Sequence, residues 1–78
     1  MRELVLDARE LEPPEPMRRV LALLAGLGRG ECVVFRHRHA PLPLYPLLAE
    51  LGFRHRERSG ADAPVEVVIW REDDEPAP

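Results

Sequence analysis

Apolar and polar residues recur along this chain at intervals that predict alternating strands and helices. In residues 3–7, Leu4 and Leu6 fall on one side of an extended chain and Val5 on the other, which is typical of a half-buried strand. A helix is predicted over about residues 14–27, because apolar residues there recur three or four positions apart. These are Met17, Val20, Leu21, Leu24 and Leu27.

The second half of the chain continues the alternation and ends in two strands. Strands are predicted over residues 31–37, 53–58 and 65–71, a helix over residues 44–51, and a turn over residues 59–64. Charges throughout the 53–58 strand indicate an edge strand, because arginines there discourage unwanted pairing. The 65–71 strand is apolar on both faces, which is typical of a central strand.

The resulting order, β-α-β-α-β-β, predicts an α+β two-layer sandwich. Two strands joined through a helix are expected to be parallel with a right-handed crossover, and the last two strands to form a hairpin. Both helices would then pack on one face of a four-stranded mixed sheet. Residues 1–71 are predicted to form this single domain, and residues 72–78 a disordered, acidic and proline-rich tail.

Composition narrows the class of protein. No apolar run approaches the roughly 18 residues of a membrane-spanning helix. No signal peptide opens the chain, so we expect a cytoplasmic protein without membrane contact. The one cysteine, Cys32, excludes an internal disulfide and a zinc site built from several cysteines. No cofactor is predicted.

Charge is distributed unevenly: the net charge is −3, yet residues 36–58 are basic. Their arginines raise the hypothesis of phosphate contacts with RNA. These are Arg36, Arg38, Arg54, Arg56 and Arg58. The negative net charge and the lack of an exposed aromatic pair between the arginines argue against a nucleic-acid partner. The alternative is that the acidic tail folds back on this basic edge.

The connection between the first strand and the first helix, residues 6–17, is the most distinctive stretch. Prolines suit a first helical turn, where the N–H would be unpaired anyway. Glu12 and Glu15 place negative charge beside the positive end of the helix dipole. We therefore predict a rigid corner, and such corners often carry a binding group.

This corner resembles the signature of the TusA-like (SirA-like) sulfur-carrier superfamily. Leu6-Asp7-Ala8, then Leu11 and Pro14-Glu15-Pro16, is similar to a strand that ends in Leu-Asp and leads to Cys-Pro-x-Pro at a helix start. The resemblance implies the same fold, with the fourth strand between the second and third. It also puts Pro13 where the carrier cysteine stands, so we expect no thiol chemistry at that position.

A second segment carries the same resemblance. The run from His39 to Tyr45 is similar to the His-Asp-Pro-x-Pro-Leu-Tyr segment of an uncharacterised branch of that superfamily, with Ala40 in place of Asp. His39 also follows a strand at its carboxyl end, where the ligands of α/β sheets gather. The resemblance and this placement together make the loop a second part of the candidate site.

These features predict a binding or adaptor domain. No trio of residues supplies a nucleophile, a base and a group that orients it, so catalysis is not expected. The predicted ligand is a partner protein or a small molecule, held by the corner and the His39 loop. The predicted site residues are Arg9, Pro13, Pro14, Glu15, Pro16, His39 and Tyr45.

Two rival hypotheses use other residues. His37, His39 and His55 could form a metal site of a redox module, although their spacing is a weak metal signature and metal is not predicted. Cys32 could serve a sulfur relay, although a cysteine that opens a strand is more often a packing residue.

The sheet face away from the helices is the last candidate. With the helices on one side, Val34, Val68 and Trp70 point to the other, and an uncovered apolar face usually marks an interface. Trp70 would stand at its centre, and tryptophan is enriched at binding hot spots. This predicts a homodimer or a docked partner protein. The alternative is that arginine stems cover the face of a monomer.

Overall fold

The computed structural model describes residues 1–59 and 63–74 and confirms the predicted order of elements. The elements are β1 (Arg2–Asp7), α1 (Glu15–Ala25), β2 (Glu31–His37), α2 (Leu44–Leu51), β3 (Phe53–Arg58) and β4 (Val65–Arg71). Gly26 follows α1 directly, so the helix ends two residues earlier than its apolar spacing predicted. Residues 60–62 of the predicted turn between β3 and β4 lie outside the described residues.

The sheet has the strand order β1-β2-β4-β3. β1 and β2 are parallel, whereas β4 is antiparallel to both β2 and β3. The four-stranded mixed sheet is therefore confirmed, with β4 between β2 and β3 as the resemblance implied. The two edge strands are β1 and β3.

The helices and one face of the sheet form the main core. Side chains from all six elements meet there, because alternate residues of each strand point toward the helices. Its most buried members are Val20, Leu24, Val33, Phe35, Leu44, Leu48, Val67 and Ile69. None of the helices in the described residues is long and apolar enough to cross a membrane.

The opposite sheet face differs from the expectation of an uncovered apolar surface. Val34, Val68 and Trp70 are only 2%, 0% and 6% exposed, so the hypothesis of an uncovered face is wrong and the alternative of a covered face agrees with the structure. Arg54 pairs across strands with Trp70, and Arg56 with Val68. Directly opposed residues share a sheet face, so the aliphatic stems of these arginines are placed to cover their apolar neighbours. A homodimer through this face stays a prediction, without the exposed surface on which it rested.

Beyond β4 the chain makes a turn that fastens it to two other loops. The N–H of Glu72 donates to the carbonyl of Gly52 at 2.9 Å. The Asp74 carboxylate accepts the N–H of Gly30 at 2.7 Å. Residues 72–74 of the predicted disordered tail are thus described as a hydrogen-bonded turn, and residues 75–78 lie outside the described part of the chain.

Candidate functional site

The corner after β1 begins with one more residue of strand-like pairing. The N–H of Ala8 donates to the carbonyl of Arg36 on β2 at 2.8 Å. The Ala8 side chain is fully buried, so this position accepts only a small residue without repacking. The N–H of Leu11 then donates back to the Ala8 carbonyl at 3.2 Å, which turns the chain out of the sheet.

Asp7 and Arg9 lock the first part of this turn. The Arg9 guanidinium donates to both carboxylate oxygens of Asp7, from Nε at 2.9 Å and from Nη2 at 2.6 Å. The Arg9 backbone N–H donates to the same carboxylate at 3.2 Å. These hydrogen bonds hold the pKa of Asp7 well below its usual range. The fork fixes the Arg9 side chain beside the end of β1.

The start of α1 is held by backbone and by its own charges. The Pro13–Pro14 peptide bond is cis, and the N–H of Glu15 donates to the carbonyl of Glu12 at 2.9 Å. The Glu15 carboxylate pairs with Arg18 at 3.1 Å, one turn further along the helix. Glu15 is thus engaged by its own helix.

The end of β2 carries two histidines whose ring centres are 5.7 Å apart, His37 and His39. Nδ1 of His37 accepts the backbone N–H of Arg38 at 2.7 Å, which leaves Nε2 to carry the proton of a neutral ring. Burial, with smaller contributions from His39 and Arg38, lowers the pKa of His37. His37 is therefore neutral at pH 7 and offers an N–H donor.

The two loops together border an open cleft of about 430 Å³, which we call the corner cleft. Its lining comes from the β1–α1 corner and from the end of β2. The lining residues are Arg9, Glu10, Leu11, Glu12, Pro13, His37, Arg38 and His39. An ion pair of 3.5 Å between Arg38 Nη2 and Glu10 Oε1 joins the two loops. The cleft thus combines hydrogen-bond donors, carboxylates and a short apolar wall.

Comparison with known families gives a match over most of the chain. Residues 5–71 match the family described as uncharacterized conserved protein DUF2249. The chain belongs to this family. The match spans all six elements apart from the first residues of β1. Comparisons with curated proteins and with solved structures found no match.

Three of the predicted site residues line the corner cleft of this DUF2249 domain: Arg9, Pro13 and His39. Three others, Pro14, Glu15 and Pro16, begin α1 but do not line the cleft. Pro16 is buried beneath the helix start. The proline motif therefore shapes the corner, and the loop before it provides the cleft wall.

Tyr45 lies elsewhere in the DUF2249 domain, between α2 and β3. Its ring stacks on His55 with a centroid distance of 4.0 Å and an interplanar angle of 12°. Its hydroxyl donates to Glu57 Oε2 at 2.5 Å. Burial and this carboxylate raise the pKa of the Tyr45 phenol. The contacts tie α2 to the edge strand and separate Tyr45 from the cleft.

The residues of the two rival hypotheses are dispersed. His55 stacks on Tyr45, whereas His37 and His39 line the cleft. Within residues 1–59 and 63–74, no group of three or more His, Cys, Asp or Glu side chains could hold a metal ion. Cys32 opens β2 at the end of the strand opposite the cleft, and it is fully buried. Burial raises the pKa of its thiol, which disfavours the reactive thiolate.

Five cleft residues were not among the predicted site residues: Glu10, Leu11, Glu12, His37 and Arg38. His37 entered the sequence argument only as a metal ligand and Arg38 only as part of a basic edge. The signal that identifies them is positional. Loops that follow two neighbouring parallel strands leave the sheet at the same edge, so their residues converge there.

Proposed function

We propose that this DUF2249 domain is a small, non-catalytic binding domain of the cytoplasm that recognises a partner protein through the corner cleft. The observation that carries the proposal is the convergence of the β1–α1 corner and the end of β2 on one cleft. Arg9 is held there by the fork to Asp7, so this part of the cleft is shaped before any partner arrives. Such preorganisation lowers the entropic cost of binding.

The composition of the cleft favours a protein over a small molecule. Small-molecule pockets bury most of their ligand and are lined mainly by apolar side chains. Here Leu11 and Pro13 are flanked by exposed charged residues, Glu10, Glu12 and Arg38. A short apolar centre with a polar, charged rim is the usual anatomy of a protein–protein contact.

The absence of catalysis is part of the proposal. Neutral His37 can donate a hydrogen bond from Nε2, and His39 lies beside it. The one thiol of the chain, Cys32, is buried at the far end of β2 and cannot act as a nucleophile in this cleft. Recognition by hydrogen bonds and charge is what these side chains can supply.

We also propose that the domain is a member of the TusA-like superfamily that lacks the carrier cysteine. Its support is the start of α1, where Pro14-Glu15-Pro16 takes the place of the last three motif residues. Pro13 stands at the carrier position and lines the cleft. A side chain without sulfur at this place fits a surface kept for recognition after the transfer chemistry was lost. A sulfur relay through Cys32 is less well supported, because its thiol is buried and its pKa raised.

Site-specific photo-crosslinking tests the proposed recognition. A benzophenone amino acid placed at Glu12, an exposed cleft residue, should give one dominant crosslinked protein in cells that naturally express the domain. The same group at Glu50, exposed on α2 and outside the cleft, is the control. The second variant His39→Ala should reduce the Glu12 adduct several-fold. Identical adducts from both positions, or an adduct indifferent to His39→Ala, would refute binding in the cleft.

A further inference from the structure

A second surface lies on the sheet face that carries no helix. There β3 presents three exposed arginines on alternate residues, Arg54, Arg56 and Arg58, which we call the arginine strip. Across β4, the Arg36 side chain shares this face, because its cross-strand partner is Glu66. Glu66 of β4 lies on this face beside the strip, and Glu3 and Asp7 share the face at the opposite edge, on β1.

A carboxylate lies among the arginines of this face, that of Glu66. The Glu66 carboxylate is shared, with Oε1 accepting from Arg58 at 2.9 Å and Oε2 lying 3.3 Å from Arg36. The side chain of Glu66 is 12% exposed, so it is committed to these internal pairs. Arg54 and Arg56 are exposed and lie over the apolar centre of the face, opposite Trp70 and Val68. The three arginines of the strip are therefore at the surface, where an added strand can reach them.

The strip also borders a strand edge. β3 is the terminal strand of the sheet, and within the described residues its strand partner is β4 alone. In an antiparallel pair, alternate residues of the outer strand point their N–H and C=O groups away from the sheet. An added strand can hydrogen-bond to these groups, and its side chains would alternate with the same period as those of β3.

We propose that the β3 edge binds an extended acidic segment of another protein, which adds as a fifth strand with its carboxylates facing the arginine strip. Alternate residues of an extended chain lie about 6.8 Å apart on both sides of such a pair. Carboxylates at every second position would therefore meet Arg54, Arg56 and Arg58 in register. Arginine suits this contact, since its planar fork holds a carboxylate with two parallel hydrogen bonds.

The arginine strip and the strand edge also argue against two other binding partners, a second copy of β3 and nucleic acid. A second copy of β3 would place arginines opposite arginines, which is destabilising between paired strands. Nucleic acid would meet the positive charge, but sequence-tolerant binding of single strands also needs exposed aromatic rings for base stacking. Trp70, the aromatic side chain of this face, is 6% exposed and covered. A strand edge beside alternating positive charges fits an acidic polypeptide.

The test uses a synthetic heptapeptide of alternating threonine and glutamate with blocked ends, titrated into the ¹⁵N-labelled full chain. Backbone resonances of β3 should shift, and those of the corner cleft should not. The double variant Arg54→Gln/Arg56→Gln should weaken the affinity about tenfold, because exposed charge pairs contribute modestly each. Arg18→Gln, which removes an exposed arginine from α1, is the matched control and should change the affinity less than about twofold.

Three further titrations separate the occupants. A glutamine version of the peptide tests charge, a version N-methylated at alternate residues tests strand addition, and an oligothymidylate tests nucleic acid. The first two should bind at least about tenfold more weakly than the acidic peptide. Should the double glutamine variant unfold, Arg54→Lys/Arg56→Lys keeps the charge and should cost about threefold. Tighter binding of the oligothymidylate, equal binding of the N-methylated peptide, shifts confined to the cleft, or no binding at millimolar peptide would each overturn the proposal.

Discussion

Replacing Val68 by threonine tests whether the helix-free face of the sheet is sealed within a single chain. Threonine has nearly the shape of valine and a similar preference for strands, so the change exchanges one methyl group for a hydroxyl. Val68 is fully buried between β2 and β3, with Val34 and Arg56 as its cross-strand partners. The loss of stability caused by Val68→Thr therefore measures whether water reaches the centre of this face.

The expected cost follows from burial. A hydroxyl moved from water into a site without a hydrogen-bond partner destabilises a protein by about 1–3 kcal/mol. A domain of this size has a free energy of unfolding of about 4–12 kcal/mol, so Val68→Thr should remove a large share of it. Val5→Thr is the matched control. Val5 lies on the same face of edge strand β1 but is 58% exposed, and its replacement should cost less than about 0.5 kcal/mol.

Urea denaturation followed by fluorescence provides the assay, since Trp70 is the one tryptophan of the chain and lies on the same face. With a slope of about 1 kcal/mol per molar urea, a loss of about 2 kcal/mol lowers the midpoint by about 2 M. Val34→Thr, at a site 2% exposed, should repeat the result. If Val68→Thr and Val5→Thr shift the midpoint equally, or if the Val68→Thr shift depends on protein concentration, the face is open or sealed by a second chain.

Two further predictions concern single contacts. Tyr45→Phe keeps the stacking on His55 but removes the hydrogen bond to Glu57, so it should lower the free energy of unfolding by about 1 kcal/mol in urea. The pKa of Tyr45 is raised in the folded state, so the stability that its phenol contributes is present below its unfolded pKa of about 10 and is lost at higher pH. Equal free energies of unfolding for the parent and Tyr45→Phe at pH 7 would contradict this prediction. Arg9→Gln should raise the pKa of Asp7 toward about 3.9, as followed by carboxyl NMR. The pKa of Asp7 is depressed in the folded parent, so the stability that its carboxylate contributes is present above about pH 4 and is lost as the pH falls. An unchanged titration of Asp7 in Arg9→Gln would show that the fork between the two side chains is not formed.

The fold could be predicted from the sequence because its apolar residues recur at regular spacings. The charges throughout β3 and the apolar stretch on both faces of β4 are enough to separate an edge strand from a central one. The end of α1 could not be predicted to the residue. Leu27 keeps the helical spacing and is buried, yet it lies beyond Gly26, where the helix has already ended.

The burial of the sheet face without helices shows what the spacing of apolar residues cannot predict. Alternation assigned Trp70 and Val68 to the face without helices, which is correct. It left open whether arginine stems cover that face, because an arginine counts as polar in any pattern. Its aliphatic stem nevertheless covers apolar neighbours when the two residues are opposed across strands. That pairing depends on the register between β3 and β4, which the spacing of apolar residues does not determine.

The candidate site was predictable where topology decides it and not where side-chain direction does. Arg9 and His39 follow the carboxyl ends of two parallel strands, so the crossover rule brings them to one edge. Tyr45 follows His39 closely in the sequence, but the first turn of α2 directs it toward His55 on β3. Residues close together in the sequence can therefore be assigned to one site only if no helix begins between them.

The two proposed surfaces occupy different edges of the sheet, which bears on how an adaptor of this size could work. The corner cleft opens at the end of β1 and β2, whereas the arginine strip follows β3, with β4 between β2 and β3. No cleft residue belongs to β3 or β4, so a partner in one surface leaves the other accessible. Coupling between distant sites requires an element with two arrangements. These two surfaces are joined through the hydrogen-bonded strands of one sheet, so we expect occupancy of the cleft to leave the affinity of the β3 edge unchanged.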